Sequence, residues 1–575
     1  MKEKIYDNSN IAESYAGVTT PLTFSFARYV YQEVYQHFSK MMGADDKLIK
    51  ENKRIFENMI EFIGYRIYYN LNSWYKMLSF FPGYKFSGEF MEKMMGVEKH
   101  NPFNEGVDYG FFRKYFLYLP KTILQSIKIS LAFLFLGWRM ERFNKYFEQV
   151  FSELNAIDLN RLSLNELKNL YKRADDKLLA RWRVPIANDF AVMVSAGLAD
   201  KFYKKWLVSN DAYFHMPITA NKALVSLDPG NRVMRIVNCI KQDKKIKELF
   251  LGQQAEGEII KLLHENFPTH KATHEIDNYL RRFGARMPNE LKLESETLAE
   301  NPVNFIVLIK KMVKNERPYS EQLRAIPKNT DYKNLSLAKR VFLRWLLRWA
   351  GNSIRRREEA RFLRTLIFGY VRKVFLAIGV KMKREKIVKN VRDIFSLTIE
   401  EVFNIIDNKD NKRLDIDPLL IIKQRKRGFT KWQNVELPRR IETSRNISEI
   451  ERSVLNHPTA NKRRSLDGLT GRVASYPSTM STFIGVALTL IDFDPTADFE
   501  GKILVTRQTD PGWTIIFPFL KGVVVERGGM LSHAAIIARE LNIPCIVGVQ
   551  QATDIISSGM KIKLDLQNGV IHEIC

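Results

Sequence analysis

The sequence predicts a multidomain protein in which a large, mostly α-helical domain is followed by a small α/β domain. Three observations carry this. The chain has 575 residues, more than one core normally organises. Up to about residue 440 apolar residues recur at helical spacing with few strand-like runs between them. Beyond about residue 466 short β-rich runs follow one another around a single helical stretch. The boundaries read as a helical domain over 1–445, a polar linker over 446–466 and an α/β domain over 467–575.

Composition narrows the function classes. An apolar fraction of 45% with 12% aromatics is globular, which excludes wholesale disorder. Cys239, Cys545 and Cys575 are too widely spaced for a disulfide framework or a CxxC metal site; they read as reduced thiols of a cytoplasmic protein, and no metal site is expected. The start, "MKEKIYDNSN", lacks the apolar stretch of a secretory signal. "ILQSIKISLAFLFLGW" is divided by Lys128, and what remains uncharged is well short of the roughly 20 residues a membrane span needs. It reads as a buried core helix.

The net charge of +26 is unevenly placed. From Ser465 onward 8 Lys+Arg face 11 Asp+Glu, a net −3, which leaves +29 for the residues before it. Basicity of that size suits nucleic acid, but the cations are scattered and no nucleic-acid motif is present. An anionic partner, a phosphorylated ligand or an acidic protein surface fits the sign equally well.

In chain order, "TPLTFSFARYVYQEVYQHFSKMM" opens the helical part, with Thr20 placed to cap it and Pro21 at the first helical position. "LNELKNLYKRADDKLLARW", "SLAKRVFLRWLLRWAGNSIRRREEARFLRTLIFGYVRKVFLAIG" and "TIEEVFNIID" repeat the pattern. Past the linker come "IGVALTLIDF", "KILVT", "GVVVE", "CIVGV", "KIKLDL" and "GVIHEI". In "KIKLDL", Ile562, Leu564 and Leu566 alternate with polar residues, as a half-buried strand requires. "HAAIIARELN" is the one clear helix among them, with Ala534, Ile537, Ala538 and Leu541 on one face.

His533 sits where that helix begins, after the turn "RGGMLS". Gly528 and Gly529 permit backbone conformations closed to other residues and leave room for a bulky ligand. A helix N-terminus offers free N–H groups and a positive dipole end to an anion. The same field lowers an imidazole's pKa and keeps it neutral and nucleophilic near neutral pH. Ser532 either donates to a bound anion or caps the helix. Arg539 either pairs with phosphate or is merely solvated. On these grounds alone a structural histidine remains open beside a phosphorylated one.

The longer pattern goes further. "GGMLSHAAIIARELNIPCIVG", preceded by "ILVTRQTDPGWT" and followed by "ISSGMKIKLDLQNGVI", resembles the swivelling phosphohistidine domain of the phosphoenolpyruvate-utilising enzymes, among them phosphoenolpyruvate synthase, pyruvate phosphate dikinase and rifampicin phosphotransferase. The resemblance implies that His533 carries a phosphoryl group between two distant sites, with Gly528, Gly529, Ser532 and Arg539 supporting the phosphate. Leu531 stands where dikinases usually carry a threonine that some members phosphorylate, so that control is not expected. "YDNSNIAESYAGVTTPLTFSF", "YLRRFGARMPNELKLESETLAENP" and "RRREEARFLRTLIFGYVRKVFLAIG" resemble the acceptor-binding helical domain of rifampicin phosphotransferase-like proteins. This likeness offers Thr20, Arg286, Glu290, Arg357 and Glu358 as acceptor-site candidates. Where the family commonly has hydrophobic–Asp this chain has Leu291 and Lys292, so the Asp is missing, and Arg286–Glu290 also reads as an ordinary i,i+4 helix pair.

No ATP-grasp pattern precedes the helical part and no (β/α)₈ pattern follows the small domain. The expectation is therefore a phosphotransferase component of a split dikinase-type system. A separate ATP-grasp protein would hold ATP and Mg²⁺, and a small-molecule acceptor would sit in the helical domain. The alternatives are a non-catalytic phosphocarrier or regulatory protein whose helical domain binds a partner according to phosphorylation state, and a scaffold that keeps only the fold. Carriage between two sites also requires the small domain to move about the linker.

Overall fold

The apolar spacing becomes helix almost wherever the sequence predicts it. In the computed structural model, which describes residues 4–80, 133–207, 225–314, 335–408, 417–456, 468–475 and 481–574, the opening pattern is the helix Pro21–Met41. The next is Leu164–Leu178, started by a reciprocal Ser163–Glu166 capping box. "TIEEVFNIID" lies in Ile399–Asn408. The Arg-rich pattern becomes one helix of 48 residues, Leu337–Arg384. Most of "ILQSIKISLAFLFLGW" and Cys575 lie outside the described residues. Among the described residues no helix is long and apolar enough to cross a membrane.

Packing gathers the chain into two compact units. The first comprises 1–197, 291–294 and 366–460. Besides helices it holds a four-stranded antiparallel sheet that the helical reading did not anticipate, in the order Ile60–Ile63, Arg66–Asn70, Lys4–Asp7, Arg440–Thr443. The stretch read as a linker begins with a helix, Ile447–Asn456. Its Ile450 is buried with Tyr6, Ile63, Tyr68 and Ile441, and Glu451 accepts the N–H of Gly64 at 2.7 Å. The rest of that stretch lies outside the described residues.

The second unit comprises 198–290, 295–365 and 461–575. Its helices Asp228–Gln242, Lys271–Phe283 and Val303–Lys314 present amphipathic faces. An eight-stranded sheet runs in the order Leu469–Thr470, Val570–Glu573, Lys561–Asp565, Thr482–Thr489, Ile503–Thr506, Gly522–Val525, Cys545–Val547, Arg472–Ser475. The pairings among Thr482–Thr489, Ile503–Thr506, Gly522–Val525 and Cys545–Val547 are parallel. Ile503–Thr506, Gly522–Val525 and Cys545–Val547 are buried throughout, as parallel strands covered on both faces must be.

Strand alternation divides these residues between two cores. Val523 and Val525 join the helical residues Val233, Ile236, Tyr279 and Phe305 in one cluster. Val524, Ile503 and Ile546 point the other way, to Ile562, Leu564 and Ile571. A 3₁₀ segment, Pro511–Phe519, supplies Trp513, Ile516 and Phe517 to the first cluster. The helix His533–Glu540 adds Ala534 and Ile537 to the same cluster.

Candidate active site

His533 is the first residue of its helix, and Ser532 occupies the N-cap position, its hydroxyl 3.5 Å from the Ala535 N–H. Capping is the role the structure gives that serine. Gly528 adopts φ +104°, a conformation that costs any residue with a side chain, and the Gly529 carbonyl accepts the Ser532 N–H at 3.0 Å. The turn thereby delivers the ring inward: His533 is 2% exposed.

Two groups hold the ring. Nε2 lies 2.9 Å from Thr514 Oγ1, and Nδ1 lies 3.8 Å from Glu358 Oε2. The second distance is too long for a hydrogen bond, so Glu358 acts through its field and favours the tautomer with the proton on Nδ1. Nε2 then presents its lone pair. The Phe517 ring stands nearly edge-on to the imidazole, 6.4 Å between centroids.

Burial lowers the His533 pKa below its ordinary value; Arg361 and Arg286 lower it further, and Glu358 opposes them. Burial pushes the Glu358 carboxyl up, but Arg361, the His533 ring and the Ser226 hydroxyl together hold it well below the usual carboxylate range. Ser226 donates to it at 2.6 Å and Arg361 lies 3.2 Å away. A fully buried carboxylate tolerates ionisation only with such partners.

Arg286 and Glu290 flank this group, both side chains 2% exposed. They are not on a helix, which corrects the helix-pair reading: the helix Lys271–Phe283 has ended, and 286–290 is a turn with Asn289 at φ +63°. Arg286 Nε lies 3.8 Å from Glu290 Oε2, while Glu290 Oε1 accepts the Thr365 hydroxyl at 2.6 Å. Asp510 completes the cluster. It accepts the N–H groups of Asn289 and, at 2.9 Å, Gly512. Burial, with Glu290 adding, pushes its carboxyl up to about 7. Gly512 lies flush on the 286–290 turn, because a Cβ there would stand 2.1 Å from Met287 C and Pro288 N.

His533, Glu358, Arg286 and Glu290 thus come together. Arg357 precedes Glu358 on the same helix and is half-buried. Arg539 does not join them; it donates to the carbonyls of Ala474 and Met530. Thr20 lies in the other unit. It stands at the N-cap position of its helix without a capping hydrogen bond and donates instead to Glu294 at 2.8 Å. Thr514, Ser226, Arg361, Thr365 and Asp510 belong to the group without having been singled out in the sequence. Among the described residues no cluster of three or more His, Cys, Asp or Glu is gathered to hold a metal.

Residues 498–569, His533 among them, match the family model of the PEP-utilising enzyme mobile domain. The chain carries a PEP-utilising enzyme mobile domain. Residues 186–358 match the rifampicin phosphotransferase fourth domain, so Ser226, Arg286, Glu290 and Glu358 come from one matched segment and the histidine of the mobile domain from the other. The chain is 26% identical over 322 residues to rifampicin phosphotransferase of Bacillus cereus, covering 52% of this chain and 34% of that protein. Over 95 residues it is 43% identical to a probable phosphoenolpyruvate synthase of Staphylothermus marinus, covering 16% of this chain and 11% of that protein. It is 21% identical over 590 residues to prodigiosin synthesizing transferase PigC of Serratia marcescens, covering 99% of this chain and 63% of that protein. The chain spans between 34% and 42% of the length of the curated rifampicin phosphotransferases it matches.

Proposed function

We propose that this chain is a phosphotransferase component that carries a phosphoryl group on His533 from an ATP-grasp partner, where ATP and Mg²⁺ are bound, to a small-molecule acceptor held by the helical residues. The observation that carries the reading is a buried, neutral histidine at a helix N-terminus, its Nδ1 turned to an ionised carboxylate, in a mobile-domain segment.

In loading, the Nε2 lone pair attacks the donor's phosphorus. The N–P bond forms, the P–O bond to the leaving group breaks, and the leaving oxygen keeps the electron pair. The ring then bears positive charge while Nδ1 retains its proton, and Glu358 offsets that charge in the docked state. In delivery, an acceptor oxygen attacks phosphorus, the P–N bond breaks, the electron pair returns to Nε2 and the acceptor's proton leaves to solvent. Reacting atoms must approach to about 3–3.5 Å at each end. With His533 buried, loading requires the mobile domain to leave its seat.

The test is incubation with an ATP-grasp partner, Mg²⁺ and labelled ATP. Wild type takes up one acid-labile, base-stable label, and His533→Asn takes up none while its fold survives. Label persisting in His533→Asn overturns the reading, and label that no acceptor ever discharges reduces the protein to a carrier.

A further inference from the structure

Among the described residues of the second unit, Arg286 is the arginine with all three guanidinium nitrogens, Nε, Nη1 and Nη2, buried and without a hydrogen bond. A buried charged donor left in that condition destabilises the fold far more than an exposed one. Its nearest acid, Glu290, pairs with its charge at 3.8 Å but leaves the donors unmet, since that distance is too long for a hydrogen bond and Glu290 Oε2 is itself without one. Arg361, beside the histidine, is engaged with Glu358, and Arg539, outside the group, with two carbonyls.

The surroundings are biased toward taking up an anion. Burial pushes both Glu290 and Asp510 toward their protonated forms, which weakens the negative charge facing Arg286. The guanidinium carbon lies over the Phe362 ring, 5.4 Å from its centroid, a contact that engages none of the N–H donors in a hydrogen bond. Arg286 is close enough to the imidazole to depress its pKa, and His533 Nδ1 is a further buried polar atom there without a hydrogen bond. A planar fork of N–H donors matches phosphate oxygens geometrically as well as in charge.

We propose that Arg286 is the phosphoryl-binding residue of the docked site, its guanidinium bonding the oxygens of the group carried on His533. The proposal rests on the phosphohistidine reading above. In the unphosphorylated protein the arginine is held in readiness at a cost in stability. On phosphorylation the dianion satisfies the donors, and the loaded mobile domain docks more firmly than the empty one.

Potassium phosphoramidate, which transfers its phosphoryl group to imidazole nitrogen with loss of ammonia, serves as the probe. Peptide mapping establishes whether His533 is loaded, and thermal unfolding then compares loaded with unloaded protein. Wild type should melt higher when loaded. Arg286→Lys, which keeps the charge and loses the fork, should show a smaller rise. Arg286→Met combined with Glu290→Gln, which leaves no lone buried carboxylate, should melt at least as high as wild type when unloaded and lower when loaded. His533→Asn treated in the same way should show no shift, which controls for loading of other histidines. An equal shift in wild type and the double variant overturns the role of Arg286. Failure to load His533 in wild type overturns the phosphohistidine reading instead, so the two failures are distinct.

Discussion

Thr514 Oγ1 reaches His533 Nε2 at 2.9 Å across 19 residues of sequence, and the carbonyl of Pro511 lies 2.8 Å from the same hydroxyl. One proton serves two acceptors. Donated to Nε2, it holds the neutral ring in place; turned to Pro511, it releases the lone pair. Thr514→Val should leave Nε2 buried without a partner and lower stability by about 1–3 kcal/mol, measured by urea unfolding. Thr514→Ser should retain most of that stability. Equal stability of the valine variant and wild type would show that the contact holds nothing.

Glu358 raises the pKa of His533 against the lowering by burial and the two arginines. Glu358→Gln should therefore move the imidazole pKa further down, as followed by NMR titration of the ring. The variant also removes the charge that favours a proton on Nδ1. Unit charges about 4 Å apart interact by up to about 4 kcal/mol at an effective dielectric of about 20, so on the proposed reading loss of that field should slow transfer from His533 by roughly tenfold or more. A pKa that rises in the variant contradicts the assignment.

Gly512 meets backbone, which cannot yield as a flexible side chain can. Gly512→Ala would set a Cβ 2.1 Å from Met287 C and Pro288 N, so the mobile domain should fail to seat while its sheet still forms. Hydrogen exchange should quicken over His533–Glu540 and remain slow over Gly522–Val525. Gly230→Ala is the control. Its added Cβ would meet Pro518 at 3.4 Å, an ordinary contact, and the helix Asp228–Gln242 should gain about 0.5–1 kcal/mol.

Asp510 makes the seated state sensitive to pH. Its folded pKa, about 7, lies above its ordinary value of 3.8. The native state therefore holds the proton more tightly than the unfolded chain. The corresponding stability is whole below pH 3.8 and is lost as pH rises through about 7. His533 works in the opposite sense: with its pKa lowered from 6.5, it takes stability away as pH falls below that value. Asp510→Asn should remove the loss on the alkaline side and leave the loss on the acid side. Melting curves at about pH 5 and about pH 8 read both. An unchanged pH profile in Asp510→Asn would count against a protonated carboxyl in the docked site.

Much of this was legible in the sequence, and what was not has physical causes. The alternation in "KIKLDL" put Ile562 and Leu564 inward, and both are fully buried. Two glycines, a serine and a histidine before an apolar helical run gave the N-terminus at His533 and the Ser532 cap. Thr514 was hidden because "PGWTIIFPF" follows neither the strand nor the helix period; it folds as 3₁₀ turns buried almost throughout. The four-residue spacing of Arg286 and Glu290 imitated a helix pair, although Gly284 and Pro288 are the residues that turn a chain. The sheet of the first unit pairs Tyr6 with Ile441, and strands of four residues so far apart leave no local trace.

The core that Val523, Val525, Trp513 and Phe517 share with Val233, Ile236 and Phe305 sets a condition on traffic through the site. If the carrier swings away as proposed, part of this apolar face would be wetted, at about 25 cal/mol for every Å² uncovered. Such a departed state would be costly and adhesive. On the proposed reading, loading would compete against return to this seat, and a partner with an apolar landing surface of its own would favour it. In crowded or partner-poor conditions the same exposed face is where self-association would begin.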